Sequence, residues 1–477
     1  GWSFFHPGCT NTMKSAEAPR ALAAAAVVAM VAAAPTLRSG ENATRLDVPF
    51  MHTSFGDAAY VVIELGTPPQ KVSVLFDTGS ATLAVPGPAT SGANPVCKSA
   101  QDYVGGGCSV GAYDPRLSST ARDIPPHGDV SIPGLQAGTF RSINRQGATK
   151  TMGCGTPIDG DTKCGGAVVY GVSGDTTGME GYWTTDIMSI GNLTGRVPLV
   201  AMTYTSYDWQ EPPAAGIMGV SSIFGDCLTA KIADSDGPET CATNSLHILL
   251  GANGFSDHFG YCLGKTETTG VLSLGGGNPH FYNPNTLHTV SLEDQTANDE
   301  AYYAVKFTRM FLGTEAGCAS QEECSGSLAI IDTGTSVFLL NTAAYDKLAR
   351  ADDAATCTTD DECKLEIELG DPVGGQVCLA MRGFFTCEGG KCHPKTEDNG
   401  SAKIQATAGQ TIIGYPVLKE FYMILQRLEN QATRTLEGSV GFAERDGDCA
   451  VPCSYFVSEW ACVVAAQCTW ADGACSG

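Results

Sequence analysis

Short apolar runs separated by turn-forming residues dominate the chain, and this pattern is typical of strands rather than helices. Two runs rich in β-branched residues, Tyr60–Leu65 and Lys71–Phe76, are separated by Gly66-Thr67-Pro68-Pro69. Because Gly and Pro interrupt strands and favour turns, this stretch predicts a β-hairpin.

The rest of the chain repeats this organisation with few helical patterns. β-like runs with glycine punctuation cover residues 166–275, and further apolar runs cover Leu328–Leu340 and Thr411–Leu425. The clearest helical pattern is Thr342–Arg350, while residues 86–165 are loop-like. With 57 glycines and 17% charged residues in 477, the sequence predicts an all-β protein with many turns.

The charge and the cysteines narrow the class of protein. A net charge of −23 argues against nucleic acid or an anionic membrane as a partner. Twenty cysteines indicate a disulfide-forming compartment. Because no CxxC pair occurs and Cys392-His393 is an isolated pair, we expect no metal site, and we also expect no cofactor. Three glycosylation sequons, at Asn42, Asn192 and Asn399, agree with passage through the secretory pathway.

The N-terminal region has the pattern of a secretory signal. Met13 is followed by a short segment that contains the basic residues Lys14 and Arg20. An apolar run, Ala21–Ala34, comes next and ends in small residues, as in a signal peptide. We therefore interpret residues 13–34 as a signal peptide and residues 1–12 as an upstream extension. The apolar run is too short for a stable transmembrane helix, so we expect no stable membrane anchor.

One acidic turn occurs twice. Asp77 follows an apolar strand in "VSVLFDTGSATLAV", and Asp332 occupies the matching place in "SLAIIDTGTSVFLL". A glycine lets the backbone approach a carboxylate and direct an N–H at it, and hydroxyls pin the loop. These supporting residues are Thr78, Gly79 and Ser80 in the first turn and Thr333, Gly334 and Thr335 in the second.

Two carboxylates brought close together do not both ionise easily, so such a pair shares a proton. The pair then activates a water with one oxygen and protonates a carbonyl with another. This chemistry is general acid–base hydrolysis without a protein nucleophile or a metal.

With both turns in this context, the chain resembles the pepsin-like aspartic proteases, and specifically their cysteine-rich branch. The resemblance implies a bilobal fold of two related β-rich lobes, each supplying one catalytic Asp to the cleft between them. It also implies extended polypeptide substrates and a monomeric enzyme.

Other stretches extend the resemblance. "YVVIELGTPPQ" and "YDPRLSST" are similar to family segments around the first lobe, and "VGFA" is similar to the last strand. "YGVSGDTTG" resembles the flap hairpin, which would make Tyr170 and Gly171 flap and substrate-binding residues. "GIMGV" and "TIIGY" resemble the segments that pack behind each acidic turn, and the family likeness pairs Cys318 with Cys324.

Three departures from the family pattern bear on function. Ala84 stands where the family usually has a Trp that contacts the flap tyrosine, and we expect Ala84→Trp to be tolerated. Tyr415 stands where a polar residue usually follows the second apolar-apolar-Gly segment. Few residues separate the signal from Tyr60, whereas the family often uses a longer, Lys-rich prosegment for inhibition.

The predicted organisation has four segments after the signal. Residues 35–51 are a short propeptide or linker, residues 52–268 the N-terminal lobe, and residues 269–446 the C-terminal lobe. Residues 447–477 hold five cysteines, and we expect them to pair mostly among themselves in a stapled tail that is dispensable for activity.

Three functions remain open at this point. The first is a secreted or lysosome/vacuole-type aspartic endopeptidase. The second is a secretory-pathway processing protease of narrow specificity. The third is a non-catalytic binding protein with a pepsin fold, a reading that Ala84 and Tyr415 keep open although both aspartates are present.

Overall fold

The structure is a computed structural model of the 477-residue chain. It describes residues 45–52, 59–87, 113–123, 141–143, 149–151, 157–158, 163–170, 177–205, 216–221, 244–264, 270–293, 302–313, 315–318, 320, 324, 328–354, 364–371, 375–381, 384–388, 391–394, 403–430, 435–451, 453, 469–471 and 474–476. The predicted signal peptide lies outside these residues. Within them, no helix has the length and apolar character needed to cross a membrane.

Strands dominate the first half of the described chain. They are β1 (Leu46–Pro49), β2 (Met51–His52), β3 (Ala59–Leu65), β4 (Gln70–Asp77), β5 (Leu83–Pro86), β6 (Arg122–Asp123), β7 (Arg141–Ile143), β8 (Thr149–Thr151), β9 (Pro157–Ile158), β10 (Lys163–Tyr170), β11 (Thr177–Ile190), β12 (Leu193–Thr205) and β13 (Gly216–Gly219). Helix α1 (Ser245–Ala252) follows them, and a short 3₁₀ turn covers Pro115–Leu117.

The second half is also mostly strands. They are β14 (His258–Leu263), β15 (Gly270–Leu274), β16 (His288–Ser291), β17 (Ala304–Leu312), β18 (Glu315–Cys318), β19 (Leu328–Ile331), β20 (Phe338–Asn341), β21 (Leu365–Asp371), β22 (Gly375–Met381), β23 (Phe385–Glu388), β24 (Lys391–Pro394), β25 (Ile404–Thr407), β26 (Thr411–Ile413), β27 (Phe421–Asn430), β28 (Thr435–Glu444), β29 (Thr469–Ala471) and β30 (Ala474–Ser476). Helices α2 (Thr342–Ala354) and α3 (Tyr415–Leu418) and a 3₁₀ turn at Pro284–Thr286 complete this half.

The predicted hairpin forms as β3 and β4, in which Tyr60 pairs with Leu75 and Leu65 with Gln70. Gly66 permits the turn because its φ is +82° and a Cβ there would meet the Ser118 side chain. The predicted helix at residue 342 forms as α2, where the Asn341 side chain accepts a hydrogen bond from the Ala344 amide at 2.9 Å. The all-β prediction is confirmed.

Two sheets have the same internal arrangement. In the ten-stranded sheet, β4 is parallel to β13, β13 is antiparallel to β5, and β5 is parallel to β12. In the eight-stranded sheet, β19, β26, β20 and β25 repeat that order with the same directions. Each acidic turn therefore follows the first strand of one of these two sets, as expected for related lobes.

A six-stranded sheet takes strands from both halves in the order β1, β15, β14, β27, β28, β16. Its strand β1 comes from the segment predicted as a propeptide or linker, and the Asp47 carboxylate on β1 accepts hydrogen bonds from Ser273 and Asn278. One continuous core, which includes Phe76, Phe259 and Ile331, joins this sheet to the other two. The segment limits given above stay predictions.

The expectation for the tail cysteines is wrong for Cys449. It forms a disulfide with Cys262 on β14, across 187 residues of sequence. Cys449 and Val451 are buried with Tyr422 and Ile424 of β27, so these residues pack against the six-stranded sheet. This packing means that the start of the tail belongs to the core, which a sequence pattern of dense cysteines does not reveal.

Candidate active site

The matching strand orders bring the two acidic turns together. Asp77 is the last residue of β4 and lies beside Gly219 of the parallel strand β13. Asp332 directly follows β19, and its amide donates to the Ile413 carbonyl on the parallel strand β26 at 3.1 Å. Both carboxylates therefore stand at the carboxyl end of a buried parallel strand pair.

Each carboxylate is oriented by its own turn. The Gly79 amide donates to Asp77 Oδ1 at 2.8 Å, and the Ser80 hydroxyl donates to Asp77 Oδ2. In the second turn, the Gly334 amide donates to Asp332 Oδ1 at 2.8 Å. The Thr335 hydroxyl donates to Asp332 Oδ2 at 2.5 Å. These are the contacts that the two Asp-Thr-Gly sequences predict.

The two threonines link the turns directly. The Thr78 amide donates to Thr333 Oγ1 at 3.0 Å, and the Thr333 amide donates to Thr78 Oγ1 at 2.9 Å, across 255 residues of sequence. The Thr78 hydroxyl donates onward to the Ile331 carbonyl at 2.7 Å, and the Thr333 hydroxyl to the Phe76 carbonyl at 2.6 Å. Both side chains are fully buried, so these bonds fix the relative position of the turns without competition from water.

The glycines show how closely the carboxylates approach the opposite turn. A Cβ on Gly79 would lie 2.6 Å from the Asp332 carboxylate, and a Cβ on Gly334 would lie 2.8 Å from Asp77 Cγ. Both distances are too short for real atoms. Glycine at these positions is therefore a requirement of the close approach of the two aspartates as well as of the turn itself.

The electrostatics of the pair follow from this geometry. Asp77 is only 3% exposed, and burial raises the pKa of its carboxyl well above the usual value. The charge of Asp332 and a hydrogen bond with it raise the pKa further, while the bonds from Ser80 and Gly79 lower it. Two carboxyls in contact, one of them buried, retain a proton at a pH where isolated carboxyls have lost theirs.

A second layer of residues supports the first turn. The amides of Val220 and Ser221, which follow β13, donate to the carbonyls of Asp77 and Ser80 at 2.7 and 2.8 Å. Asn244 caps α1 and donates its side-chain amide to the Gly219 carbonyl at 2.7 Å. Sequence analysis identified the segment containing Gly219 but missed Asn244, for which an N-cap pattern is a visible signal.

The predicted flap is only partly described. Tyr170 ends β10 and pairs with Thr177 at the start of β11, so the backbone forms the stem of a hairpin. Gly171 and the other connecting residues, 172–176, lie outside the described residues. The flap roles of Tyr170 and Gly171 remain predictions.

The departures from the family pattern lie in packed positions. Ala84 is fully buried on β5 between β12 and β13, which argues against the expectation that a Trp would be tolerated there, because an indole would overpack the site. Tyr415 is also buried, its amide donates to the Thr335 carbonyl at 2.8 Å, and Lys419 Nζ lies 5.4 Å from its ring centroid. Tyr415 thus packs behind the second turn.

Other predicted residues are placed as follows. Asn192 is exposed in the turn between β11 and β12, whereas Asn42 and Asn399 lie outside the described residues. Cys324 is disulfide-bonded and Cys318 lies at the end of β18, and their pairing stays a prediction. In the described part of the chain, no group of three or more His, Cys, Asp or Glu side chains is arranged to hold a metal ion.

Comparison with known proteins identifies the family of the chain. The family model for the eukaryotic aspartyl proteases matches residues 59–128 and 166–434, and the chain belongs to this family. It is 26% identical over 392 residues to pepsin A of Gallus gallus, covering 80% of this chain and 84% of that protein. It is 25% identical over 399 residues to gastricsin of Mus musculus, with 79% and 81% covered. Aspartic protease 3 of Toxoplasma gondii is 24% identical over 332 residues, with 68% and 41% covered.

Proposed function

We propose that this protein is an aspartic endopeptidase in which Asp77 and Asp332 together activate a water molecule. The observation that carries this proposal is the contact between the two carboxyls, with a raised pKa at Asp77 that favours one retained proton. Membership of the aspartyl protease family supports it. Extended polypeptides are the proposed substrates. They would bind in the cleft between the lobes, under the proposed flap that contains Tyr170 and Gly171.

The singly protonated pair supplies both an acid and a base. The ionised carboxylate takes a proton from water as the water oxygen bonds to the scissile carbonyl carbon, and the protonated carboxyl gives its proton to the carbonyl oxygen. The resulting tetrahedral diol then collapses. The carboxylate that gave up its proton now takes one from a hydroxyl of the diol, the other carboxyl gives the proton it took from water to the amide nitrogen, and the C–N bond breaks.

Gly79 and Gly334 give this chemistry room. Their missing side chains leave the carboxylates free to approach one another and a substrate backbone. The hydroxyls of Ser80 and Thr335 bond to Oδ2 of their own aspartates, and the amides of Gly79 and Gly334 bond to Oδ1, so both carboxyls are held in fixed orientations. This preorganisation means that the reacting groups need little rearrangement during the reaction.

The proposal extends to cellular location and assembly. The predicted signal, the cysteine content and the exposed sequon at Asn192 favour a secreted protein or one in a lysosome- or vacuole-type lumen, acting as a monomer. Loss of mass on treatment of the secreted protein with an N-glycosidase would support this location. A protein recovered from cells without glycan and with reduced cysteines would contradict it.

A peptide-library digest across acid and neutral pH tests the activity. We expect cleavage of extended peptides with a bell-shaped dependence on pH, because the fully protonated pair lacks a base and the fully ionised pair lacks an acid. The Asp77→Asn variant, verified as folded by its melting curve, is the control. Cleavage of only a few related sequences would favour a processing protease. Peptide binding without cleavage would favour the binding-protein alternative and would contradict the proposed activity.

A further inference from the structure

A buried arginine lies behind the main chain that supports the first acidic turn. Arg427 on β27 is 2% exposed and lies on the same face of the strand as Met423 and Leu425. Its Nη1 donates to the carbonyl of Val220 at 3.1 Å and also to that of Ser221. A cationic donor on this apolar face of a core strand is unexpected from the surrounding sequence pattern.

The two carbonyls belong to the segment that contacts the catalytic turn. The Val220 carbonyl and the Ser221 amide form one peptide unit, and that amide donates to the Ser80 carbonyl at 2.8 Å. A charged donor on the carbonyl oxygen polarises the peptide unit and strengthens donation by its N–H. The preceding peptide unit joins Gly219 to Val220. Its carbonyl accepts a hydrogen bond from the Asn244 side chain, and its amide donates to the Asp77 carbonyl.

The guanidinium is fixed on its other side by an acid. Asp257 binds Arg427 through two bonds, Nε to Oδ2 at 2.8 Å and Nη2 to Oδ1 at 3.0 Å. His247 on α1 contacts the same Asp257 carboxylate at 2.8 Å. Burial would raise the pKa of Asp257, but the Arg427 charge and the hydrogen bonds from His247 and Arg427 outweigh it and hold that pKa well below its usual range.

This arrangement is directional. A two-bond pair fixes the plane of the guanidinium, so the remaining N–H groups point at the Val220 and Ser221 carbonyls. A lysine at this position would retain the charge, but its single nitrogen has three donors and cannot match four acceptor contacts in this plane. The position is therefore specific for arginine.

We infer that Arg427, held by Asp257, is a positioning residue that sets the Asp77 turn at its working distance from Asp332. This inference rests on the proposed function. Arg427 acts through the main chain of Val220 and Ser221 and does not touch the reacting groups. Its effect falls on the first turn, since its guanidinium contacts the segment behind Asp77.

The test compares Arg427→Lys with Tyr422→Phe. Tyr422 lies on the same strand on the opposite face, is equally buried, and accepts a hydrogen bond from the Asn278 amide at 2.8 Å. At a temperature where both variants are folded, we expect Arg427→Lys to lower kcat roughly tenfold with KM within about twofold, because misplacement of a reacting group slows the chemical step. Tyr422→Phe should lower the melting temperature without lowering kcat. Equal kcat in the two variants would overturn the inference.

Amide hydrogen exchange supplies a readout that does not depend on activity. In Arg427→Lys, exchange at the amides of Val220 and Ser221 should accelerate by about tenfold or more relative to the wild-type protein, while the Thr333 amide should stay protected. Unchanged protection at Val220 and Ser221 would contradict the positioning role even if the protein cleaves no peptide. If the wild-type protein is inactive but this pattern appears, the proposed function fails while the positioning of the turn stands.

A second variant covers the case in which Arg427→Lys does not fold. Asp257→Asn keeps the guanidinium but replaces the ion pair with weaker bonds, so we expect an intermediate fall in kcat of about threefold with unchanged KM, and faster exchange at Ser221. Wild-type values of kcat and of exchange in folded Asp257→Asn would overturn the inference.

Discussion

The two acidic turns carry the same chemical groups but are supported differently. Each aspartate accepts one hydrogen bond from a glycine amide and one from a hydroxyl. Thr78 and Thr333 each donate an amide hydrogen bond to the hydroxyl of the other. Behind the first turn, the carbonyls of Gly219, Val220 and Ser221 accept hydrogen bonds from the side chains of Asn244 and Arg427. Behind the second turn, helix α3 begins at Tyr415, two residues after β26 ends. Tyr415 is buried, and its amide donates a hydrogen bond to the Thr335 carbonyl.

This difference shows that symmetry is kept where chemistry requires it and lost elsewhere. The carboxylates must meet in matched geometry, so the contacts inside the turns are duplicated. The supporting layer only has to be rigid, and a polar network and an apolar helix both satisfy that requirement. The environments of the aspartates also differ, because Asp77 is 3% exposed whereas Asp332 is half-buried.

The most severe test of the matched turns removes one acid at a time. Asp77→Asn and Asp332→Asn should each lower kcat by about 10⁴-fold, and the double variant should be little worse, since groups that act as one unit give strongly non-additive effects. Steady-state cleavage of one peptide by all three purified variants measures this. Robust cleavage by either single variant, with contaminating protease excluded, would break the equivalence of the two turns.

Adding one methyl group tests the close approach from both sides. Gly79→Ala and Gly334→Ala would each place a Cβ against the opposite carboxylate, so we expect kcat to fall by about 100-fold through misplaced acids. Gly251→Ala on α1 is the matched control, because a Cβ there meets nothing within 4 Å and should leave kcat unchanged. If Gly79→Ala alone retains activity, the carboxylates lie further apart than the structure places them.

The reciprocal threonine bonds should tolerate change equally poorly in both turns. Thr78→Val and Thr333→Val each remove a hydroxyl that accepts an amide hydrogen bond from the other turn and donates to a buried carbonyl. Leaving such groups unpaired should lower the free energy of unfolding by about 1–3 kcal/mol. Denaturant unfolding of both variants measures the loss, and a large difference between them would show that the linkage is one-sided.

The smallest expected effect concerns stability against pH. The folded-state pKa of Asp77 is raised, so the wild-type fold loses stability as pH rises from the ordinary carboxyl pKa through that raised value. Asp77→Asn, which carries no charge, avoids this loss. We therefore expect its melting temperature to exceed that of the wild-type protein at pH 7, with the difference shrinking as the pH falls toward 3. A constant difference across that range would argue against a buried coupled pair.

Part of the site was accessible from the sequence because its requirements are local. An aspartate needs a nearby amide and hydroxyl, and Asp-Thr-Gly followed by Ser or Thr supplies both within four residues. The hairpin of β3 and β4 and helix α2 were likewise predicted from β-branched runs, from Gly66 and from the pattern at residue 342. These are short-range preferences that the backbone expresses wherever the segment lies.

The meeting of distant groups depends on the folded chain as a whole. The Thr78–Thr333 bonds span 255 residues, the Arg427–Asp257 pair spans 170, and the Cys262–Cys449 disulfide spans 187. No local preference encodes such pairings, because they depend on how distant strands pack against each other once the sheets have formed. Local sequence predicts two matching acidic turns, which differ only in the final Ser or Thr. The packing of three sheets brings these turns together, and among the described residues it places the buried Arg427 behind the first.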